Sequence, residues 1–409
     1  MFVFCLLLVI AAASAQQQER EPVPQPRTLV VLDTPERLQQ HSAFLQTLRE
    51  RQHRLSFALA SDKKLSLFEH GEPKFENALI FTSDSLTLKV KEMTRFVDDG
   101  NNVMVVGDSI GKSLRQFAAQ CGVSFGDTHV HGTAESRNFF REATIVGDEA
   151  VASDKPLLYS GVSLKVSDSP LLTEILTADA VAFTDNGDDK KKKVGTEIVL
   201  IAALQARNNA RVLFSGSSSF FDNAAFANSY LLNKPVATAL GIWACKERGY
   251  LRASRVLHQL LPMQGDETEF RGGGDDHQED FSLVGVPIEQ LGDRWRRNAP
   301  REDNPELYRV RDRVRFSLVV EEYDGYAQKW RPFVVSKDDV LQFELQRLDV
   351  FVRRDMVPLG EGRYGVHVRM PHHFGVFHAV VDHRRRGLSV LQVKRQMAVR
   401  EFNHDEECG

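Results

Sequence analysis

The feature that most constrains the fold of this chain is a change in its hydrophobic period. Before about residue 250, apolar residues come in short continuous runs: 28–32 (TLVVL), 55–60 (LSFALA), 77–82 (NALIFT), 102–106 (NVMVV), 198–204 (IVLIAAL) and 211–215 (RVLFS). Unbroken runs of this length suit strands covered on both faces, as in a parallel sheet. Between them lie amphipathic stretches. Leu38, His41, Phe44, Leu45 and Leu48 recur at helical spacing, as do Ile110, Leu114, Phe117, Ala118 and Cys121, with Gly122 as a C-terminal stop. Leu240, Trp243 and Ala244 mark a last helix ending by Gly249.

After residue 306 the period becomes two. Val314, Phe316, Leu318 and Val320 alternate with polar neighbours, and so do Leu341, Phe343 and Leu345, then Tyr364, Val366 and Val368, with a further strand at 376–382. Short alternating strands separated by turn residues describe an antiparallel β-sandwich. The expected architecture is therefore α/β: a Rossmann-like, mostly parallel sheet domain over 28–251, followed by a β-sandwich domain over 306–400. Residues 252–305 hold a Gly-Gly-Gly step (272–274), acidic pairs and the basic segment WRRNAPRED, and read as an irregular linker or insertion. The run DNGDDKKKK (185–193) reads as a solvated loop and 401–409 as a polar tail.

The first 15 residues, MFVFCLLLVIAAASA, form an apolar core ending in small residues, with Ala13-Ser14-Ala15 matching a signal-peptidase pattern. The run is shorter than the roughly 20 residues needed to span a bilayer. Residues 16–27 are polar and Pro-rich, a flexible leader. Cleavage would leave Cys121, Cys245 and Cys408; the first two sit on apolar helical faces and read as small buried hydrophobes. The net charge of −4 gives no basic excess to attract nucleic acid.

Chemistry is sparse. Gly107-Asp108-Ser109-Ile110-Gly111 matches G-x-S-x-G between a strand and a helix, the context of a nucleophile elbow. It also resembles the GDS block of SGNH-type esterases, but the later Gly-x-Asn and Asp-x-x-His of that pattern do not follow. His129 and His131 lie too early in the chain for the hydrolase order serine, acid, histidine. The plainer reading of Ser109 is a strand-to-helix turn with a polar cap. His129 and His131 share one face of an extended segment without a third ligand; Asp275, Asp276 and His277 lie in the linker; His372, His373, His378 and His383 lie on or beside strands. None has the spacing of a metal site. Phosphate-binding glycine loops do not occur after the first strand, so no cofactor is expected. In LQARNNARVLFSG, Asn208 and Asn209 suit a tight turn that tolerates left-handed backbone, and the flanking Arg207 and Arg211 suit bidentate bonds, within the fold or to a partner.

Several runs, in order, resemble one family. They are RTLVVLDTPERLQQHSAFLQTLRERQHRLSFALASDKKLSL (27–67), ENALIFTSDS (76–85), DDGNNVMVVGDSIG (98–111), LIAALQARNNARVLFSGSSSFF (200–221), YRVRDRVRFSLVVEE (308–322) and HHFGVFHAVVDHRRRGLS (372–389). Together they are similar to the DDOST-type 48 kDa subunit family of dolichyl-diphosphooligosaccharide–protein glycosyltransferase. The resemblance implies a two-domain ectodomain in the lumen of the endoplasmic reticulum, held by one C-terminal transmembrane helix that the 409 residues do not include. It further implies an accessory subunit without catalytic, cofactor or metal residues, partnered by other oligosaccharyltransferase subunits, with catalysis on a multi-spanning one. The residues also leave room for two other readings, a secreted serine hydrolase using Ser109 and a luminal carbohydrate- or peptide-binding ectodomain.

Overall fold

The computed structural model describes residues 25–82, 86–131, 143–146, 153, 155–179, 182–184, 195–261, 304–325, 327–336 and 339–403. The expected signal peptide and leader up to residue 24, the charge run 185–193, Asp275 to His277, Cys408 and most of the linker 252–305 lie outside these residues. The chain divides into two compact units, Met1–Cys245 and Lys246–Gly409.

Unit 1 holds strands β1 (Arg27–Leu32), β2 (Arg54–Leu59), β3 (Phe68–Glu69), β4 (Glu72–Pro73), β5 (Asn77–Phe81), β6 (Asn102–Val106), β7 (Val123–His131), β8 (Val162–Val166), β9 (Leu172–Thr177), β10 (Phe183–Thr184), β11 (Val199–Gln205) and β12 (Arg211–Ser215). Its helices are α1 (Glu36–Gln40), α2 (Ser42–Glu50), α3 (Val90–Asp98), α4 (Lys112–Gln120), α5 (Ala143–Val146), α6 (Asn223–Ala227) and α7 (Asn233–Ala244). One sheet runs β10-β7-β8-β11-β12-β6-β5-β1-β2, with β9 also on β11. Strands β2, β1, β5, β6 and β12 pair in parallel; β7 to β11 extend the sheet antiparallel. The expected α/β sheet is therefore mixed and mostly parallel at its centre. The continuous apolar runs inside the sheet are buried on both faces, as in β5 and β6, where every residue is buried; the run at 55–60 differs, because β2 is the edge strand and leaves Phe57 and Leu59 exposed.

Each face packs its own helices. Phe44, Leu45 and Leu48 of α2 and Val236, Leu240 and Trp243 of α7 cover one side. Met93, Phe96 and Val97 of α3 and Leu114, Phe117 and Ala118 of α4 cover the other. On the first side the rings of Phe44, Phe81 and Phe221 meet edge to face, a geometry that adds about 0.5–1.5 kcal/mol per pair beyond burial. The stretch from Leu38 to Leu48, read as one helical pattern, is two helices that break at the buried His41. Gly122 does end α4 in the left-handed region, with φ +80°, and a Cβ there would lie 2.5 Å from Ser167 Oγ.

Unit 2 contains β13 (Leu251–Leu260), β14 (Leu307–Arg309), β15 (Arg313–Asp324), β16 (Lys329–Pro332), β17 (Gln342–Gln346), β18 (Val350–Asp355), β19 (Val357–Gly360), β20 (Arg363–Arg369), β21 (Gly375–His383) and β22 (Leu391–Arg400). One sheet runs β13-β15-β20-β19 with β16 on β15; the other runs β14-β22-β21-β17-β18. All pairs are antiparallel except β14 with β22. Inward-facing residues of both sheets make one core, where Phe316 of the first meets Phe343 of the second at 4.9 Å between ring centroids. The alternating sets around Phe316, Phe343 and Val366 all face this core.

One stretch differs from expectation. Residues 252–260 are not irregular: they belong to β13, which pairs along β15 from Leu251 opposite Glu322 to Leu260 opposite Val314. The register shifts between Ser254 and Leu257, so the alternation that would mark a strand is interrupted by a bulge. Among the described residues no helix is long and apolar enough to cross a membrane.

Candidate functional site

In an open α/β sheet, ligands bind beyond the carboxyl ends of parallel strands, where successive connections leave in opposite directions. In unit 1 that edge follows β1, β5, β6 and β12. Strand β1 lies between β2 and β5, which places the reversal beside it. The turns delivered there carry Asp33-Thr34, Thr82, Gly107 to Gly111 and Gly216 to Ser219.

The G-x-S-x-G segment forms the turn from β6 into α4. Its first glycine is required by close approach, since a Cβ on Gly107 would stand 2.5 Å from Thr82 O. Asp108 points across to the turn after β12. It accepts hydrogen bonds from Ser218 N at 2.6 Å and Ser218 Oγ at 2.5 Å. Charge-assisted bonds of this kind contribute roughly 1.5–3 kcal/mol each when buried. Arg115 of α4 holds the same turn from behind, donating to Ile110 O at 2.8 Å and Phe125 O at 3.0 Å. Ser109 itself is exposed.

Next to this clamp lies a serine-rich seam. Ser217 Oγ donates to Ser160 O at 2.5 Å and lies 2.9 Å from Ser219 Oγ. The backbones of Gly161 and Gly216 pass so closely that a Cβ on Gly161 would fall 1.9 Å from Gly216 O. Tyr159 donates to Val162 O at 2.8 Å and Leu200 O at 3.1 Å. Burial, and secondarily the charge of Asp108, push its hydroxyl well above the ordinary tyrosine value, so it stays a neutral donor.

A second latch joins the break between α1 and α2 to the segment after β12. His41 Nδ1 sits 3.0 Å from Asp222 Oδ1 and 3.3 Å from Phe221 O, and the ring stacks on Phe81 at 4.7 Å. Asn223 accepts from Ala43 N at 2.8 Å and donates to Gln39 O at 2.6 Å. The break between α1 and α2 is thus held by the Phe-Phe-Asp-Asn sequence that starts α6. Sequence reasoning missed Asp222 and Asn223. The available signal was a polar pair straight after two phenylalanines, ahead of a helix.

Arg211 proves internal. Its side chain is fully buried, Nη1 donates to Trp243 O at 2.7 Å, and the guanidinium lies 4.7 Å from the Trp243 ring. Arg207 is exposed. The turn between them behaves as its residues suggest: Asn209 has φ 63°, and Asn208 accepts from Ala210 N at 3.0 Å while donating at 2.8 Å to Val97 O and Asp98 O at the end of α3.

The chemical capacity of the edge follows from these pairings. Among the described residues, no hydrogen bond joins Ser109 or Asp108 to a histidine, and His129 on β7 is exposed. A nucleophile needs a base within hydrogen-bond reach, and among the described residues no histidine is hydrogen-bonded to Ser109. The other histidines singled out from the sequence, His372, His373, His378 and His383, lie on or beside strands of unit 2. His372 Nδ1 accepts from Arg311 Nε at 2.8 Å, His373 stacks on Phe351 at 5.6 Å, and His383 is buried beside Asp339. Burial, then Lys394, lowers the pKa of His378. Among the described residues, none of these joins a group of three ligating side chains. Cys121 and Cys245 form no disulfide, and burial, then Asp98, pushes the Cys121 thiol up to about 12.

The OST48 N-terminal domain family matches residues 20–247, and the OST48 middle domain family matches residues 296–407. The dolichyl-diphosphooligosaccharide–protein glycosyltransferase 48 kDa subunit of Danio rerio is 31% identical over 419 aligned positions, spanning 93% of this chain and 84% of that protein. The Drosophila melanogaster subunit of the same name is 31% identical over 93% of this chain and 84% of its own. The Arabidopsis thaliana subunit is 26% identical over 93% and 85%. Among solved structures, the carbohydrate deacetylase Agd3 aligns with a TM-score of 0.29 at 10% identity, over 47% of this chain and 29% of that one; a likeness this weak carries no functional argument.

Proposed function

This chain belongs to the OST48 family, and we propose that it is a non-catalytic subunit of the oligosaccharyltransferase, supporting assembly and stability of the complex that transfers lipid-linked oligosaccharide to asparagine. The observation that carries this reading is the extent of the match. Both family domains occur in order, and named 48 kDa subunits align over 93% of the chain. The geometry of unit 1 supports the accessory role. Where an α/β enzyme would present reacting groups, Asp108, Ser217, Ser218 and Tyr159 are engaged in fastening one turn to the next. No residue is assigned a catalytic, cofactor-binding or metal-ligating role. The protein works in the endoplasmic reticulum with a luminal ectodomain, beside a multi-spanning subunit that performs the transfer.

Affinity purification of the tagged chain from detergent-solubilised endoplasmic-reticulum membranes tests this directly. The other oligosaccharyltransferase subunits should co-purify, and depletion of the chain should lower both complex abundance and N-glycosylation. Recovery of the chain alone, with glycosylation unchanged on depletion, would refute the proposal.

A further inference from the structure

One end of the second sheet of unit 2 presents apolar residues where a soluble surface would carry polar ones. The hairpin joining β17 to β18 places Leu348 at its tip, 96% exposed, where Gly, Asn, Asp or Ser ordinarily sits. The connection entering β21 places Phe374 alongside, 56% exposed. The two tips touch. Phe351 stacks on His373 at 5.6 Å, and the Arg347 guanidinium lies against Gly375, where a Cβ would meet Cζ at 3.3 Å. Val376 and Val350 continue the apolar surface, and the register carries it across Ala398 to the exposed Leu307 on β14.

Arginines border the patch. Arg347 is exposed on the first tip, and Arg311 is exposed beside the second, donating to His372. The bordering carboxylates are Asp349 and Glu306. Large apolar side chains stand out from two adjoining connections, the β17–β18 hairpin and the crossing from β20 to β21. Side chains exposed in this way can enter a fluid apolar layer together. Guanidinium groups at their base are suited to phosphate oxygens at the level of lipid headgroups.

We propose that this end of unit 2 is a membrane-contacting surface, in which Leu348 and Phe374 insert into the headgroup–acyl boundary of a bilayer while Arg347 and Arg311 meet the lipid phosphates. Such insertion is shallow and reversible, resting on buried apolar area with an electrostatic contribution from anionic lipid.

The test is flotation of the full chain with phosphatidylcholine vesicles, with and without phosphatidylserine. The wild type should co-float, more strongly with phosphatidylserine present. Leu348→Asp with Phe374→Asp should reduce the vesicle-bound fraction by about tenfold and leave thermal unfolding unchanged, because both side chains are exposed. Val334→Asp, at another exposed valine, should leave binding as it is. The hydrophobic leader is identical in all three chains, so the comparison isolates the tips. As a second measurement, Leu348→Trp should give a blue shift of its added emission when vesicles are mixed in. A double variant that floats like wild type, or no shift from Leu348→Trp, would overturn the proposal. So would a double variant that keeps its vesicle binding but loses other subunits on co-purification, since a protein would then be what covers the tips.

Discussion

Replacing Arg211 tests whether the turn that joins β11 to β12 is held from inside the fold or from outside it. The side chain is fully buried; its Nη1 donates to Trp243 O at 2.7 Å, and the guanidinium lies 4.7 Å from the Trp243 ring. Truncating a large buried side chain costs about 2–5 kcal/mol through lost packing and the cavity left behind. The lost charge-assisted hydrogen bond adds roughly 1.5–3 kcal/mol, and the lost cation–π contact up to about 2 kcal/mol. Against these stands the relief of no longer burying a charge, several kcal/mol in real proteins. The polar contributions largely cancel that relief, so packing decides the result: Arg211→Ala should destabilise unit 1 by about 3 kcal/mol. For a unit of this size that is a fall in Tm of roughly 6–12 °C. Arg211→Met keeps most of the volume and removes the charge, so it should cost less, on the order of 1 kcal/mol. Arg211→Lys keeps a charge but not the planar fork that stacks on Trp243, and should fall between them at roughly 2 kcal/mol. Arg207→Ala, at an exposed position, should stay within about 0.5 kcal/mol of wild type. Differential scanning calorimetry of the four variants gives the order directly. The reasoning fails if Arg211→Ala melts within about 2 °C of wild type, or if Arg207→Ala is the more damaging change.

Two further outcomes follow from the site and from unit 2. Ser109→Ala should leave both thermal stability and N-glycosylation unchanged, whereas Asp108→Asn should lower stability by about 1–3 kcal/mol through its bonds to Ser218; loss of glycosylation by a normally folded, normally assembled Ser109→Ala chain would restore a catalytic role. Burial pushes the Asp339 carboxyl up, but the Arg385 guanidinium, which donates through Nε at 2.7 Å, together with Val340 N–H and His383 outweighs it and holds the carboxyl below its ordinary value. A depressed carboxylate stabilises the fold at pH above the unfolded value of about 3.9, and that stabilisation is lost as pH falls through the folded value. The gap in urea midpoint between wild type and Asp339→Asn should therefore be widest near neutral pH and close as the solution is acidified; a gap independent of pH would exclude this role.

The two hydrophobic periods were enough to determine the class of each half. An unbroken apolar run such as that of β6 has few ways to be buried except inside a covered sheet, and the alternation from Val314 to Val320 has few except on one face of a sandwich. Backbone geometry sets these periods residue by residue, so they are written locally. Turn chemistry is local for the same reason: Asn209 takes left-handed backbone and Gly122 ends α4, as their side chains allow. The single helical pattern from Leu38 to Leu48 misled because His41 keeps the spacing of a buried position while breaking the helix. Its reason for burial lies 180 residues away, where it meets Phe221 and Asp222. The interrupted alternation of β13 hid a strand in the same way, since a bulge removes the period that would announce it. What tertiary structure alone decided is which polar groups meet. Asp108 reaches Ser218 over 110 residues, and Arg211 reaches Trp243 over 32. These partners are chosen by the order of strands in the sheet, which brings the ends of β6 and β12 side by side and lays α7 over β12. Strand order depends on long-range packing that leaves no periodic trace in the chain. The G-x-S-x-G segment was therefore readable as a turn from its residues, but only the fold showed that its aspartate is engaged by a serine.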